Sequence, residues 1–237
     1  MQPMKEMDTA DFSKSQRKLV KKIAGLTPYE VIQGILSFYD CPSECGAACC
    51  KLDDIPLILD DKKRISSRGI GYRKIVKEDT VLKQVMIDGE TITEEVFKDH
   101  PCPFLHNDRC SIHKFNPKIC SLYPFKTTGK TSSKLELVAC RSGANIILDF
   151  AGFELFMYMM SPSSRAEMPQ RLTEAATIAK TIDLAGTDDL TKALVYGVND
   201  FEKLRFFLLY LNNESKEAVA ARREELKNIA NNSTVGC

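Results

Sequence analysis

Apolar residues recur at helical spacing in the first 40 residues of the chain. Residues 15–26 carry Leu19, Val20, Ile23 and Leu26 on one stripe, which predicts an amphipathic helix. Residues 27–30, Thr-Pro-Tyr-Glu, have the form of a capping box with proline at the first helical position, so they predict the start of a second helix. We therefore expect the segment 1–40 to be helical.

The last third of the chain shows the same periodicity. Helices are predicted over residues 146–160, 170–182, 188–198 and 201–211, followed by a charged helix over residues 214–229. The apolar run 146–160 carries Asp149 and Glu154, and it is shorter than the ~20 apolar residues that a membrane span needs. It therefore predicts a buried helix, and no membrane span is expected.

The middle of the chain alternates between apolar and polar positions in short stretches. Residues 81–88 and 134–139 are predicted strands, and Asp88-Gly89 is a typical hairpin turn between residues 81–87 and 91–96. The predicted fold class is α+β, mainly helical. It comprises an irregular cysteine-cluster domain with short strands (41–143), flanked by an N-terminal helical segment (1–40) and a C-terminal helical region (144–237).

The charge balance limits the choice of partners. Of 237 residues, 33 are basic and 32 acidic, so the formal net charge is +1, which argues against a dedicated nucleic-acid surface. The basic stripe over residues 14–22 has no interleaved aromatic residues, which favours a solvated helix face. No nucleic-acid partner is predicted. Because no secretory signal is visible, we expect a cytoplasmic protein.

Eight of the nine cysteines lie between residues 41 and 140. Short spacings allow one loop to present two thiolates to a metal ion at about 2.3 Å. In a reducing cytosol, clustered cysteines are more often metal ligands or redox groups than structural disulfides. We therefore predict a metal or iron–sulfur centre rather than a disulfide framework or buried apolar fillers. The predicted ligands are Cys41, Cys45, Cys49, Cys50, Cys102, Cys110, Cys120 and Cys140.

The spacings leave the cofactor as either an iron–sulfur cluster or zinc. The pair Cys41/Cys45 suits tetrahedral zinc, whereas iron–sulfur clusters use cysteine triplets at other spacings. Eight thiols suffice for two four-thiolate centres, or for one centre and additional reactive thiols. Adjacent Cys49 and Cys50 would not both bind one tetrahedral ion without strain, so we expect them to face two centres or one of them to pack.

Other polar residues near the cysteines have simpler interpretations. His113 follows Cys110 closely and is an alternative ligand, whereas His100 and His106 are expected to be solvated. Four acidic residues predict a solvated loop and the start of a helix: Asp53, Asp54, Asp60 and Asp61.

The order of the motifs resembles a known family. The cysteine-rich segment 41–50 is followed by Cys102-Pro-Phe-Leu, by Cys110-Ser-Ile, and by Asn-Pro-x-x-Cys-x-x-Tyr-Pro-Phe over residues 116–125. This set resembles the YkgJ-type CxxCxxCC cysteine-cluster family, which is labelled a zinc- or iron-chelating domain and includes the flagellin lysine N-methylases. The resemblance covers residues 41 to about 140. It implies metal binding and, for relatives of the methylases, methylation of a lysine in a protein substrate.

The chain departs from that family pattern in ways that bear on activity. Three residues rather than two separate Cys41 from Cys45, and His113 stands where the family usually has Tyr. Asn116 and Ser121 replace two Arg, which removes cations that could balance a thiolate cluster or hold a substrate carboxylate. These differences favour metal binding over a transferred catalytic activity.

Three classes of function follow. The first, which the cysteine pattern favours, is a metal-binding protein whose zinc or iron–sulfur centre is structural or redox-active. The second is a protein-lysine N-methyltransferase, although no S-adenosylmethionine loop is recognisable. The third is a zinc-organised interaction module with a protein partner docked on the C-terminal helices. No catalytic residue is assigned, and the sequence does not decide whether the protein is an enzyme.

Overall fold

The computed structural model describes residues 3–40, 47–52, 54–87, 89–98, 101–128, 134–138, 140–160, 195–198 and 200–232, with residues 170, 171, 173, 174 and 177. The fold is α+β and mainly helical, as the sequence predicts. The helices are α1 (Lys14–Ala24), α2 (Pro28–Leu36), α3 (Ala48–Leu52), α4 (Leu59–Ser66), α5 (Ile70–Glu78), α6 (Lys118–Leu122), α7 (Arg141–Met160), α8 (Phe201–Asn213) and α9 (Lys216–Asn232).

Each described strand pairs antiparallel with a neighbouring strand. The strands are β1 (Thr80–Ile87), β2 (Glu90–Phe97), β3 (Leu105–His106), β4 (Arg109–Cys110), β5 (Phe125–Thr128), β6 (Lys134–Val138) and β7 (Val195–Val198). β1 pairs with β2 and β3 with β4, while β6 lies between β5 and β7 in a three-stranded sheet. The hairpin and the strand predicted for the middle of the chain are therefore confirmed.

The N-terminal helices begin at the caps that the sequence predicts. At α2, the Thr27 hydroxyl accepts a hydrogen bond from the Glu30 N–H, and the Glu30 carboxylate accepts one from the Thr27 N–H. Ser13 and Gln16 form the same reciprocal pair at α1. Each box satisfies backbone donors that the first turn of a helix leaves without partners. Both predicted helices are confirmed.

One predicted helix is wrong. Apolar spacing predicts a helix over residues 188–198, but Val195–Val198 form β7, and residues 188–194 lie outside the described residues. Tyr196 is fully buried opposite Leu137 of β6, so sheet pairing and core packing outweigh the helical spacing. Of the helix predicted at 170–182, the structure describes residues 170, 171, 173, 174 and 177, all of them helical.

Two groups of buried apolar side chains organise the described residues. The first core joins α1 and α2 to α7, α8, α9 and the three-stranded sheet, with Phe150 and Phe207 in edge-to-face contact at its centre. The second core gathers apolar residues of α4, α5 and β2 with Phe104 and Ile112. Within the described ranges, no helix is long and apolar enough to cross a membrane.

Helix α7 carries two carboxylates into the first core. The Asp149 carboxylate accepts hydrogen bonds from the Tyr39 hydroxyl at 2.8 Å and from two nitrogens of Arg223. Burial raises the pKa of Asp149, although Arg223 and Tyr39 favour its charged form. The second carboxylate belongs to Glu154, whose oxygens accept from the Tyr196 hydroxyl, the Arg171 guanidinium and the Lys203 ammonium. These bonds connect α7 to β7, α8 and α9.

Replacing Glu154 with Ala is expected to lower the free energy of unfolding by about 3–5 kcal/mol, because two cations and a buried hydroxyl would each lose one buried partner. Urea denaturation measures the difference. Glu224→Ala is the matched control, since the Glu224–Lys227 pair lies at the surface and is worth less than ~1 kcal/mol. Equal losses in the two variants would contradict a structural role for the Glu154 network.

Candidate metal centre

The first described cysteines lie on the short helix α3. Ala47, which precedes α3, has a left-handed backbone with φ of 54°, and its carbonyl accepts a hydrogen bond from the Cys50 N–H at 2.8 Å. The thiols of Cys49 and Cys50 are hydrogen bonded to each other. Cys41 and Cys45 lie outside the described residues.

A tight hairpin positions the next two cysteines. The Leu105 N–H donates to the Cys102 carbonyl at 2.9 Å, and Leu105 of β3 pairs with Cys110 of β4. Asn107 and Asp108 form the turn with φ of 49° and 56°, the left-handed conformation that suits a two-residue hairpin turn. The turn therefore returns the chain so that both ends of the hairpin present a cysteine.

Two contacts attach this hairpin to α3. The Cys102 N–H donates to the Cys50 carbonyl at 2.7 Å. Lys51 of α3 forms an ion pair with Asp108 of the turn at 2.7 Å. Cysteines about 50 residues apart in sequence are thus brought to one place by backbone bonding.

Backbone donors point at two of the thiols. The Phe104 N–H donates to the Cys102 sulfur, and the Ile112 N–H donates to the Cys110 sulfur, each two residues beyond its cysteine. A hydrogen bond to sulfur favours the thiolate, which is the form that binds metals. At both positions these donors offset part of the burial effect, which raises the pKa of the thiol.

Cys120 lies on α6, which contacts a helix on each side. From α4, one Asp61 carboxylate oxygen accepts the Lys118 N–H at 3.0 Å, and Arg64 donates to the Asn116 carbonyl at 2.6 Å. From α2, the Tyr29 hydroxyl is hydrogen bonded to the Ser121 hydroxyl at 3.0 Å, and the Gln33 amide donates to the Ser121 carbonyl. The position of Cys120 thus depends on both neighbours.

Asp61 corrects one expectation from the sequence. It was expected to be solvated together with Asp53, Asp54 and Asp60, but its side chain is only 2% exposed. Its carboxylate accepts from Lys118 N–H and pairs with Arg64 at 2.6 Å, whereas Asp54 and Asp60 are exposed and Asp53 is not among the described residues. The signal that could have indicated this burial is the position of Asp61 in the first turn of α4. A carboxylate there can accept an N–H from the start of a second helix.

The thiols share one electrostatic environment. Burial is the main cause that raises the pKa values of Cys102, Cys110 and Cys120, and neighbouring thiolates raise them further. The hydrogen bond with Cys49 is the main cause that raises the pKa of Cys50. Cys49, Cys102 and Cys110 each raise the pKa of Cys120, and Cys50, Cys102, Cys110 and Cys120 all line the second core. A bound cation would reverse this penalty on the thiolates.

The remaining candidates lie elsewhere. Buried Cys140 starts the turn into α7, and its sulfur accepts a hydrogen bond from the Gly143 N–H at 3.2 Å. Glycine is required at 143, because a Cβ there would overlap the Val138 carbonyl oxygen. The side chains of His106 and His113 are exposed, and His100 lies outside the described residues.

Phe125, at the end of the motif 116–125, lies apart from the second core. It is buried in the first core with Leu137. Cys50, Cys102, Cys110 and Cys120 instead line the second core. Aromatic rings of that core lie beside them, with Phe97 and Phe104 in edge-to-face contact at 5.4 Å.

The donor chemistry fits a thiophilic metal. The described thiols come from α3, the β3–β4 hairpin and α6, two of them receive backbone hydrogen bonds, and no disulfide joins any two described cysteines. Among the described residues, no three Cys, His, Asp or Glu side chains converge to positions that would coordinate one ion. The eight-cysteine ligand set therefore stays a prediction.

One family model matches the cysteine region. Residues 40–141 match the CxxCxxCC family, described as "putative zinc- or iron-chelating domain". This match confirms the resemblance seen in the motifs and supports metal binding in general. The chain matches no curated protein and no solved structure.

Asp61→Ala is expected to lower the free energy of unfolding by about 1–3 kcal/mol, since the Lys118 N–H would lose its acceptor and Arg64 would lose one of its partners. Hydrogen exchange should accelerate most at the amides of α6. The control is Asp60→Ala, an exposed carboxylate in the same first turn, for which we expect a change within ~0.5 kcal/mol. Unchanged exchange in α6 would contradict the positioning role of Asp61.

Proposed function

We propose that this chain, whose residues 40–141 match a zinc- or iron-chelating domain, is a metal-binding protein that holds zinc or an iron–sulfur cluster through its clustered cysteines. The proposed ligands are drawn from Cys41, Cys45, Cys49, Cys50, Cys102, Cys110, Cys120 and Cys140. The bound group would supply charge neutralisation for the thiolates and, if it is an iron–sulfur cluster, electron transfer.

The observation that carries the proposal is that thiols from α3, the β3–β4 hairpin and α6 line the same core. Cys102 N–H bonds directly to the Cys50 carbonyl, and the pKa of Cys120 is raised by Cys49, Cys102 and Cys110. Cysteines that only filled an apolar core would not need backbone N–H groups directed at their sulfurs. A metal centre accounts for both features.

The proposed role of the metal begins with folding. The second core contains few fully buried side chains, and its cysteines line it rather than cross-link it. A structural zinc site contributes ~10–16 kcal/mol, as much as the net stability of a whole domain. We propose that residues 41–143 form the metal-binding domain, that residues 1–40 and 144–237 flank it, and that the protein works in the reducing cytoplasm.

The two alternative functions stay predictions from the sequence. No described contact favours the lysine methyltransferase. The interaction module would place a partner on the C-terminal helices, but the large apolar side chains that are exposed among the described residues all lie between Ile58 and Met86. Neither alternative is therefore advanced as a second proposal.

Metal and acid-labile sulfide analysis of protein purified without oxygen is the first test. Iron and sulfide at about four per chain, with a broad visible absorption that a reductant bleaches, would identify a redox or catalytic cluster. One or two zinc ions in colourless protein would identify a structural centre. A stable protein without metal would overturn the proposal.

Serine variants test which cysteines bind. Cys102→Ser and Cys110→Ser are expected to reduce the metal content, because each removes a sulfur that receives a backbone hydrogen bond. Cys237→Ser is the matched control, since it makes the same change at the one cysteine outside the cluster. Equal metal content in all three variants would contradict the assignment of Cys102 and Cys110.

Chelation tests the folding role. Removing the metal is expected to lower the melting temperature and to change the circular dichroism spectrum, because apolar burial in the second core is small. The first core has its own capped helices and buried ion pairs, so part of the helical signal should persist. Spectra and melting curves that chelation leaves unchanged would contradict a structural role for the metal.

A further inference from the structure

The hairpin β1–β2 has one open edge. β2 pairs with β1 on one side, and on its other side Pro56 bridges to Val96 and the Leu57 N–H donates to the Glu95 carbonyl at 2.8 Å. Among the described residues, β1 pairs with β2 alone. The eight residues of β1 therefore present a row of backbone groups on their outer side.

Hydrogen-bond parity identifies which residues present those groups. The Lys98 N–H donates to the Asp79 carbonyl at 2.7 Å, just before β1 begins. In an antiparallel ladder the bonded pairs recur every second residue, so the odd-numbered residues of β1 bond to β2. The N–H and C=O groups of Leu82, Gln84 and Met86 consequently point away from β2.

The side chains of this edge do not protect it. Leu82 is 69% exposed and Met86 is 75% exposed, and β1 contains no proline. Its one charged residue, Lys83, forms an ion pair with Asp54, which lies just before the segment bridged to the far side of β2. Natural edge strands are usually guarded by charge, proline or a bulge, so an unguarded apolar edge indicates a surface that is covered by another strand.

We propose that β1 is a homodimer interface, in which the β1 strands of two copies pair antiparallel with Gln84 opposite Gln84. This register places Leu82 of one copy opposite Met86 of the other, at both ends of the pairing. All three pairs use the outward-facing residues, and in an antiparallel sheet such a pair exchanges two backbone hydrogen bonds.

The sequence of β1 favours a second copy of this chain as the strand that pairs with the open edge. The sequence around Gln84 is self-complementary, because an apolar residue lies two positions before it and another two positions after it. The Gln84 side-chain amides of the two copies can hydrogen bond to each other on the twofold axis. Each Lys83 forms its ion pair with Asp54 of its own copy and not with the other copy. Two hairpins would then form one four-stranded sheet.

Introducing a charge at Gln84, on the twofold axis, is the most direct test of the proposed register. The full-length chain, kept in reductant to prevent intermolecular disulfides, is examined by sedimentation over a range of concentrations. Gln84→Lys and Gln84→Glu are each expected to weaken the dimer about fivefold or more, because like charges would stand directly opposite. An equimolar mixture of the two variants is expected to restore the dimer.

Two further variants distinguish a loss of pairing at the β1 edge from a loss of the fold. Gln84→Pro removes an outward N–H without touching a bond to β2, so it is expected to abolish the dimer and leave the monomer folded. Thr93→Lys is the matched control, since Thr93 lies opposite Gln84 on β2, one strand away from the edge. It adds the same charge to the same face and is expected to leave the dimer intact.

Hydrogen exchange reports the register directly. On dimerisation, protection should increase at the amides of Leu82, Gln84 and Met86, and change little at Lys83 and Val85, which already bond to β2. A chain that stays monomeric up to about 1 mM would overturn the proposal, since its two copies would then gain less than about 4 kcal/mol on association. A dimer that is insensitive to Gln84→Lys and Gln84→Pro would also overturn it, because another surface would then be the interface.

Discussion

A helix of five residues is too short to be stable by itself, so the position of α6 depends on its surroundings. On one side, the buried Asp61 carboxylate accepts the N–H of Lys118, the first residue of α6. On the other side, Tyr29 and Gln33 are hydrogen bonded to Ser121. Through these contacts α6 joins the first core, to which α2 belongs, to the second core, which contains the thiols. Cys120 therefore keeps its place beside the second core only while both sets of contacts are made.

The two cores differ in the partners that they provide for buried groups able to carry a negative charge. In the first core, the carboxylates of Asp149 and Glu154 lie in a medium of low dielectric and each has cationic and hydroxyl partners. In the second core, burial disfavours the charged form of the thiols, and the only compensation at Cys102 and Cys110 that the described contacts supply is a backbone N–H. A metal cation is the partner that would complete the second arrangement as arginine and lysine complete the first.

Much of the fold follows from local signals in the sequence. The capping box of Thr27 and Glu30 places the start of α2, and the alternation before Asp88-Gly89 places the hairpin. The prediction was wrong at Val195–Val198, where valines at helical spacing pair with β6 because the sheet buries Tyr196. It placed the start of α4 among the acidic residues but missed α5, in which Val76 is the one buried residue of a narrow apolar stripe. For the candidate site, the residue types and the family resemblance were readable, whereas the buried role of Asp61 was not.

The sequence by itself indicated the kind of chemistry, because clustered cysteines favour thiophilic metals, while their spacing leaves zinc and an iron–sulfur cluster open. It also determined the helix starts, since a cap involves residues only three positions apart. The tertiary structure decided which thiols line the second core, how Cys120 is positioned, and which edge of β1 stays open. These depend on contacts such as Cys102 N–H to the Cys50 carbonyl and Lys118 N–H to Asp61, which join residues 52 and 57 positions apart. No local pattern encodes such contacts, because they form only when separate segments bury their apolar faces together.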